Sequence, residues 1–86
     1  MTYSVYILRC GDGSLYTGCA LDVEKRLAAH QSGHGAKYTR SHLPVTLVYR
    51  EECGSKGDAL RREAAIKRLT RRQKELLICN YSPDAL

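Results

Sequence analysis

The chain has 86 residues, of which 14 are Lys or Arg and 9 are Asp or Glu, so its formal net charge is +5. A chain of this length forms one domain, because two independent hydrophobic cores need more residues. Its content of 43% hydrophobic and 27% charged residues is typical of a globular protein and excludes an intrinsically disordered one.

The sequence predicts neither a membrane span nor a secretion signal. No apolar run approaches the roughly 20 residues that a transmembrane helix needs. The apolar residues 3–8 are too few for a signal peptide, and Arg9 follows them directly. The four cysteines have no Cys-x-x-Cys spacing, so we expect reduced thiols in a cytoplasmic protein rather than a disulfide framework.

The chain opens with a predicted β-hairpin. Residues 3–9 and 15–19 are rich in β-branched and aromatic side chains, as strands are. Between them lies Cys-Gly-Asp-Gly-Ser, a composition typical of a tight turn. We therefore expect two antiparallel strands with Asp12 at the centre of the turn.

This register brings two tyrosines onto one face of the hairpin. With that turn centre, Tyr6 lies opposite Gly18 and diagonal to Tyr16. The tyrosines can belong to the core or to a site. The missing side chain of Gly18 leaves room beside the ring of Tyr6 for a ligand or for backbone.

A helix, an irregular segment and a third strand follow. Asp22 is a typical N-cap residue, which predicts a helix over residues 23–31 that ends at Ser-Gly-His-Gly. Residues 36–44 are polar, and we expect them to be irregular. The β-branched run 45–49 after Pro44 is expected to form the third strand.

Two helices complete the predicted fold. After Gly54 and Gly57, which break the chain, Asp58 opens a helix that runs to about residue 69. The sequence Thr-Arg-Arg-Gln then has the spacing of a capping box, which predicts a last helix that ends at about residue 79.

The predicted order ββαβαα is typical of an α+β fold. We expect one three-stranded antiparallel sheet flanked by helices. A single domain is expected over residues 1–86, with a core over about 3–79 and a short tail over 80–86.

Three polar residues share one stripe of the first predicted helix. Asp22, Arg26 and His30 follow one another at intervals of four residues. An arginine and a histidine one turn apart can hold a phosphate and manage a proton. The same spacing fits a surface Asp22–Arg26 ion pair beside a solvated histidine, and it does not decide between the two.

One carboxylate falls inside the apolar side of the helix over 58–69. That side consists of four residues: Ala59, Leu60, Ile66 and Leu69. Glu63 lies among them, which is unfavourable unless the carboxylate is paired or binds a cation. Its partner can be Lys67 or Arg26. The other interpretation is a Mg²⁺ site, because Mg²⁺ keeps most of its waters and often takes a single protein carboxylate plus substrate phosphates.

Basic residues are concentrated in the last two predicted helices. Residues 60–74 contain seven Lys or Arg and one acidic residue, so their net charge is +6. Lys37 and Arg40 form a second basic segment beside Tyr38. Such clusters are typical of phosphate-backbone binding, although a solvated basic helix face has the same composition. The cysteines and histidines lack the short spacing of a structural zinc site.

One ordered set of residues resembles the GIY-YIG nuclease domain. Val-Tyr-Ile at 5–7 and Leu-Tyr-Thr-Gly at 15–18 are followed by Arg26 with His30 and, on a later helix, by Glu63. The resemblance covers nearly the whole chain and is closest to small stand-alone bacterial members. Ser-Val-Tyr stands where the family has Gly-Ile-Tyr, and Tyr-Thr-Gly where it has Tyr-Ile-Gly. Both tyrosines and the second glycine are thus retained, and the family fold agrees with the predicted order.

This resemblance implies a divalent-metal-dependent endonuclease that hydrolyses DNA phosphodiester bonds. It implies that Glu63 is the ligand of one Mg²⁺ (or Mn²⁺) ion, which acts as a Lewis acid. Tyr6 or Tyr16 would orient or deprotonate the attacking water, with Arg26 stabilising a phenolate. Arg26 would also stabilise charge on the phosphorane, and His30 would relay a proton or hold the phosphate.

The resemblance also implies a set of substrate-binding residues: Gly18, Lys37, Tyr38, Arg40 and Lys67. Asn80 is matched to an asparagine that is functional in some members. A single small domain cannot easily read a long sequence, so we expect a preference for single-stranded or branched DNA in DNA repair, recombination or processing. We expect a monomer with no membrane contact and no small-molecule cofactor.

Two other functions fit the same composition. One is a nucleic-acid-binding module with little or no catalysis, although the retained tyrosine, arginine and glutamate residues argue against it. The other is a protein-interaction domain with an incidental basic face.

Overall fold

A computed structural model describes residues 2–81 and contains three strands and four helices in that part of the chain. In chain order these are β1 (Tyr3–Arg9), β2 (Leu15–Ala20), α1 (Val23–Gln31), α2 (Lys37–Arg40), β3 (Thr46–Cys53), α3 (Lys56–Lys67) and α4 (Arg71–Asn80). The strands form one antiparallel sheet in the order β2-β1-β3, which confirms the predicted α+β fold. No helix within residues 2–81 is long and apolar enough to cross a membrane.

The central strand β1 pairs with β2 in the predicted register, with Tyr6 opposite Gly18. Successive side chains of β1 point to opposite faces, and each face has its own buried cluster. One cluster packs against α3: Val5, Ile7, Tyr49, Ala59 and Ile66. The other packs against α1: Tyr6, Leu8, Cys10, Val23 and Val45. Consecutive residues of β1 therefore belong to two different hydrophobic clusters, one on each face of the sheet.

The third strand is longer than predicted and continues beyond residue 49 to Cys53. Residues 50–52 of this strand are charged, and charged residues in sequence are not typical of a strand. Arg50 pairs with Glu24 of α1 at 2.5 Å, and Arg62 of α3 pairs with Glu51 at 2.9 Å. Arg50 and Glu51 thus form ion pairs with helices on opposite faces of the sheet. These ion pairs stabilise the charged segment as part of β3.

The helix that carries Glu63 begins earlier than predicted. Ser55 is its N-cap, since the Ser55 side chain accepts a hydrogen bond from the Asp58 amide, and Gly57 lies within the first turn. Ala59 is fully buried, whereas Leu60 is 47% exposed. The expectation that Leu60 faces the sheet is wrong, because α3 contacts the sheet along a narrower stripe than its apolar residues suggest.

The two remaining helices differ in how far the sequence predicts them. The expectation that residues 36–44 are irregular is wrong in part, because they include α2, a single turn whose Thr39 side chain is fully buried. The last helix, α4, begins as predicted, since Thr70 and Gln73 form both hydrogen bonds of a capping box. Residues 82–86 of the predicted tail lie outside the described residues.

One carboxylate fastens α4 to the hairpin. Arg9 donates two hydrogen bonds to Glu75, at 2.7 and 3.1 Å. Arg71 donates to the same carboxylate at 3.2 Å and to the carbonyl oxygen of Gly13 at 2.6 Å. The hydrogen bonds from Arg9, followed by the single one from Arg71, lower the pKa of Glu75 to about 2.

The lowered pKa of Glu75 predicts a loss of stability in acid. An ordinary glutamate has a pKa of 4.5, so the paired carboxylate stabilises the folded state fully above that pH. As the pH falls from 4.5 towards 2, the unfolded state binds a proton first and the free energy of unfolding declines. Urea denaturation of the wild type and of Glu75→Gln between about pH 5 and about pH 3 measures this decline. The free energy of unfolding of Glu75→Gln should decline less steeply with falling pH than that of the wild type.

A matched control is Glu52→Gln. Glu52 is exposed and has no ion-pair partner within residues 2–81, so this variant should keep the wild-type slope. An unchanged slope in Glu75→Gln would contradict the role of this carboxylate.

Candidate active site

Two side chains of the predicted site meet beneath α1 in a buried hydrogen bond. The hydroxyl of Tyr6 lies 3.0 Å from Nε2 of His30, and the two residues are 2% and 0% exposed. Gly18 makes this contact possible, because a Cβ there would lie 2.6 Å from the Tyr6 hydroxyl oxygen. The space that Gly18 leaves is thus filled by the phenol of Tyr6 and is not left for a ligand.

The hydrogen bonds of Thr39 determine which nitrogen of His30 carries the proton. Thr39 Oγ1 lies 2.8 Å from Nδ1 of His30 and donates its only proton to the Ala36 carbonyl oxygen at 2.9 Å. Oγ1 must therefore accept from the ring, so Nδ1 is protonated and Nε2 accepts from Tyr6. Burial, followed by the charge of Arg26, lowers the pKa of His30, which favours the neutral ring.

Gly35 and Thr39, which carry no motif in the sequence, hold His30 in place. A Cβ on Gly35 would overlap the imidazole ring. The sequence pattern indicates neither residue, because α2 is a single turn of helix and is too short to show a helical repeat of apolar residues. His30 is not placed to contact a phosphate directly, because its side chain is fully buried and both ring nitrogens already have hydrogen-bond partners.

A row of aromatic rings extends from this buried pair to the surface. Tyr16 lies on the same sheet face as Tyr6, with its ring centroid 5.3 Å from that of His30. The ring of Tyr38 follows at 6.3 Å and lies nearly parallel to that of Tyr16, at 16°. Tyr38 in turn stacks on His42, which follows α2, at 4.2 Å, and the sequence does not indicate this contact. Tyr38 is 42% exposed, so the row reaches solvent.

Arg26 lies on the exposed side of α1, near the phenol of Tyr6. Burial raises the pKa of Tyr6 to about 12, and Arg26 is the main group that opposes this rise. Asp22 does not pair with Arg26 and instead caps α1 by accepting from the Lys25 amide at 3.0 Å. Arg26 has no acidic partner among the described residues, so its charge is available to a phosphate.

Glu63 lies on the opposite face of the sheet from the two tyrosines. Its side chain is 18% exposed and pairs with Lys67 at 3.2 Å, so Lys67 rather than Arg26 is its partner. The thiol of Cys19 on β2 donates to the other carboxylate oxygen at 3.5 Å. Burial raises the pKa of this thiol, which keeps it protonated and able to donate.

The donor set around Glu63 fits a cation that takes a single protein carboxylate. Residues 2–81 contain no cluster of three His, Cys, Asp or Glu side chains that could enclose a metal ion. Mg²⁺ does not need such a cluster, since it keeps several waters and is often held by one carboxylate plus substrate phosphates. The carboxylate is partly exposed and already holds one cation, the ammonium of Lys67. These donors suit Mg²⁺ or Mn²⁺ and do not suit a structural zinc ion.

A pocket at the edge of β2 brings residues from both sides of the sheet together. Its volume is about 310 Å³, and it is lined by Leu15, Tyr16, Thr17, Tyr38, Lys67 and Lys74. Three predicted site residues therefore meet here, namely Tyr16, Tyr38 and Lys67. Lys37 and Arg40 are exposed on α2 beside Tyr38. Asn80 does not line the pocket and is exposed at the end of α4.

Ion pairs neutralise part of the basic cluster over 60–74. Four of its cations have an acidic partner: Arg61, Arg62, Lys67 and Arg71. The other three have none within the part of the chain that is described: Arg68, Arg72 and Lys74. The unpaired charge is thus smaller than the +6 of the sequence and is concentrated where α3 ends and α4 begins.

Most of the chain matches the model of a known protein family. The profile of the GIY-YIG catalytic domain matches residues 2–76. The chain belongs to the GIY-YIG family. Members of this family are endonucleases that generally use divalent metal ions, and the domain suggests DNA binding.

Several small proteins match this chain over most of their own length. The UPF0213 protein of Streptococcus sanguinis is 59% identical over 81 residues, which cover 94% of this chain and 93% of the relative. A UPF0213 protein of Halobacterium salinarum is 52% identical over 75 residues, which cover 87% and 97%. The solution NMR structure of the UPF0213 protein from Bacillus halodurans is 46% identical and has a TM-score of 0.62, with 98% of this chain and 89% of that chain covered.

Removing the hydroxyl of Thr39 should change the tautomer of His30. In the wild type, long-range ¹H–¹⁵N correlation spectra should show a protonated Nδ1 and an unprotonated Nε2. Thr39→Ala removes the acceptor for Nδ1–H, so both tautomers should be populated. Thr39→Ser keeps the hydroxyl and should retain the wild-type spectrum. A protonated Nε2 in the wild type, or no change in Thr39→Ala, would show that Thr39 does not fix the ring.

Proposed function

We propose that the chain is a divalent-metal-dependent endonuclease that hydrolyses DNA phosphodiester bonds. The observation that carries this proposal is the edge of β2, where one pocket is lined by Tyr16 from one face of the sheet and by Lys67, the partner of Glu63, from the other. A phosphodiester bound there would lie among groups that can orient water, hold a cation and neutralise charge.

Glu63 is the residue that we propose as the metal ligand. A bound Mg²⁺ or Mn²⁺ supplies a Lewis acid for the charge that develops on the phosphate and the leaving oxygen. Lys67 now pairs with the carboxylate at 3.2 Å and would have to leave it. Its ammonium would then be available to a substrate phosphate in the pocket that it lines.

We assign the contact with the attacking water to Tyr16 and not to Tyr6. Tyr16 lines the pocket, whereas Tyr6 is 2% exposed. The pKa of Tyr6, about 12, and the lowered pKa of His30 both keep the shared proton on Tyr6, so this pair is a poor proton acceptor. Tyr6 and His30 therefore position the sheet face that carries Tyr16, and Arg26 stabilises negative charge on the phosphorane.

Cations and aromatic rings make up the proposed substrate surface. Lys37 and Arg40 flank Tyr38, and the unpaired cations near the α3–α4 junction can follow a phosphate backbone. Such groups contact phosphates and the faces of bases, which carry little sequence information. We therefore propose that a monomer selects single-stranded or branched DNA by strand state, in DNA repair, recombination or processing in the cytoplasm.

One contact favours a second function, a nucleic-acid-binding module with little or no catalysis. The carboxylate proposed as the metal ligand is already neutralised by Lys67. If no metal displaced this lysine, the unpaired cations would still bind a polyanion, and the affinity would fall steeply with salt. Binding without cleavage of any substrate in Mg²⁺ or Mn²⁺ would identify this function.

Substitution of Glu63 or Arg26 should abolish metal-dependent cleavage while the fold survives. Glu63→Ala removes the metal ligand and Arg26→Ala the unpaired cation, and each loss is expected to lower the rate by roughly 100-fold or more. Tyr16→Phe should also lower the rate, since it keeps the ring and removes the hydroxyl that we assign to the attacking water. The measurement is cleavage of labelled single-stranded, duplex and flap DNA, and of RNA, with Mg²⁺, Mn²⁺ or EDTA.

Two surface variants serve as controls for these substitutions. Glu52→Ala removes an exposed glutamate of β3, and Arg61→Ala removes an arginine whose partner is Asp58 on the same helix. Both should cleave at the wild-type rate. Full activity in Glu63→Ala or in Arg26→Ala would refute the mechanism.

A further inference from the structure

We propose that the pocket at the edge of β2 binds one unpaired nucleotide of the substrate strand. Its base would lie against the rings of Tyr38 and Tyr16, and its phosphate would contact Lys74 and Lys67. This inference rests on the proposed nuclease function and specifies its substrate as a strand with an unstacked base next to the cleaved bond.

The ring of Tyr38 is exposed and yet held in one position. Its hydroxyl donates to Ser14 Oγ at 2.6 Å, and Ser14 Oγ donates to Asp12 at 2.6 Å. His42 supports the ring through a nearly parallel stack at 4.2 Å and contacts the Tyr38 carbonyl oxygen through Nδ1 at 2.6 Å. A ring that is already held loses little conformational entropy when a base stacks on it.

The walls of the pocket are flat and apolar on one side. The rings of Tyr16 and Tyr38, which deviate from parallel by only 16°, form part of the pocket lining. A volume of about 310 Å³ is small for a ligand site and suits one nucleotide better than a base pair. A base inside a duplex has both faces covered by its neighbours, so only an unpaired base can present a face to these rings.

The opposite side of the pocket is cationic. Lys67 ends α3 and Lys74 lies one turn into α4, and both lysines border the pocket. Lys74 has no acidic partner in residues 2–81, and none of the described lining residues is acidic. Aromatic faces beside lysines form the combination that recognises single-stranded nucleic acid through stacking and phosphate contacts.

Equilibrium binding in EDTA tests this inference without cleavage. Fluorescence anisotropy would compare labelled oligothymidylate with an abasic strand of equal length and charge and with a blunt duplex. The wild type should bind oligothymidylate roughly tenfold more tightly than the abasic strand, because stacking contributes only when a base is present. The duplex should bind more weakly than oligothymidylate at the same salt concentration.

Three variants assign the effect to the pocket. Tyr38→Ala should remove the preference for oligothymidylate, whereas Tyr38→Phe keeps the ring and should retain it. Lys74→Ala should weaken binding of both strands and reduce the slope of log affinity against log salt by about 1. Thermal unfolding of each variant verifies that it is folded. The comparison between the two strands in the wild type needs no substitution at all.

The outcomes separate this inference from the proposed nuclease function. Equal affinity of the wild type for the two strands, or a preference that persists in folded Tyr38→Ala, would overturn the nucleotide pocket. Cleavage in Mg²⁺ with no preference for a base would leave the nuclease function standing without the pocket. A base preference without any cleavage would support the pocket and count against the nuclease function.

Discussion

The hydrogen bond between Tyr6 and His30 is the contact on which the rest of the site depends. It joins the central strand to α1, and Thr39 extends it to α2, so elements distant in sequence share one buried polar chain. An unsatisfied polar group in the interior costs about 1–3 kcal/mol, so each member needs its partner. Thr39 also anchors the short helix that carries Tyr38, and the buried chain thereby positions part of the pocket at the surface.

The position of β2 at the edge of the sheet allows groups on opposite faces to act on one substrate. Tyr16 and Gly18 face α1, whereas Thr17 and Cys19 face α3, because successive side chains of a strand alternate. Within the middle of a sheet, backbone would separate these two sets of groups. At the edge, Tyr16 and the lysine that pairs with Glu63 line the same pocket. Tyr16, which we propose to orient the water, and Glu63, which we propose to bind the metal, therefore lie on opposite faces of the sheet.

Local patterns in the sequence predict the frame of the site, and contacts between distant residues determine its details. A turn centred on Asp12 predicts Tyr6 opposite Gly18, and the structure has this register. Four-residue spacing predicts Arg26 and His30 on one helical stripe, but not that the arginine is exposed and the histidine fully buried. Thr39 could not be found, because its role depends on how α2 packs against α1. The charged end of β3 was missed for the same reason, since its ionic partners lie on helices.

The cleavage rate of Gly18→Ala tests the dependence of the site on the Tyr6–His30 contact most directly. The added Cβ would lie 2.6 Å from the hydroxyl oxygen of Tyr6, which is buried and would have to move away from His30. Metal-dependent cleavage of single-stranded DNA should fall roughly 100-fold while cooperative unfolding is retained. Gly57→Ala, whose Cβ would meet nothing closer than 3.6 Å, should cleave at the wild-type rate. A wild-type rate in folded Gly18→Ala protein would contradict the account.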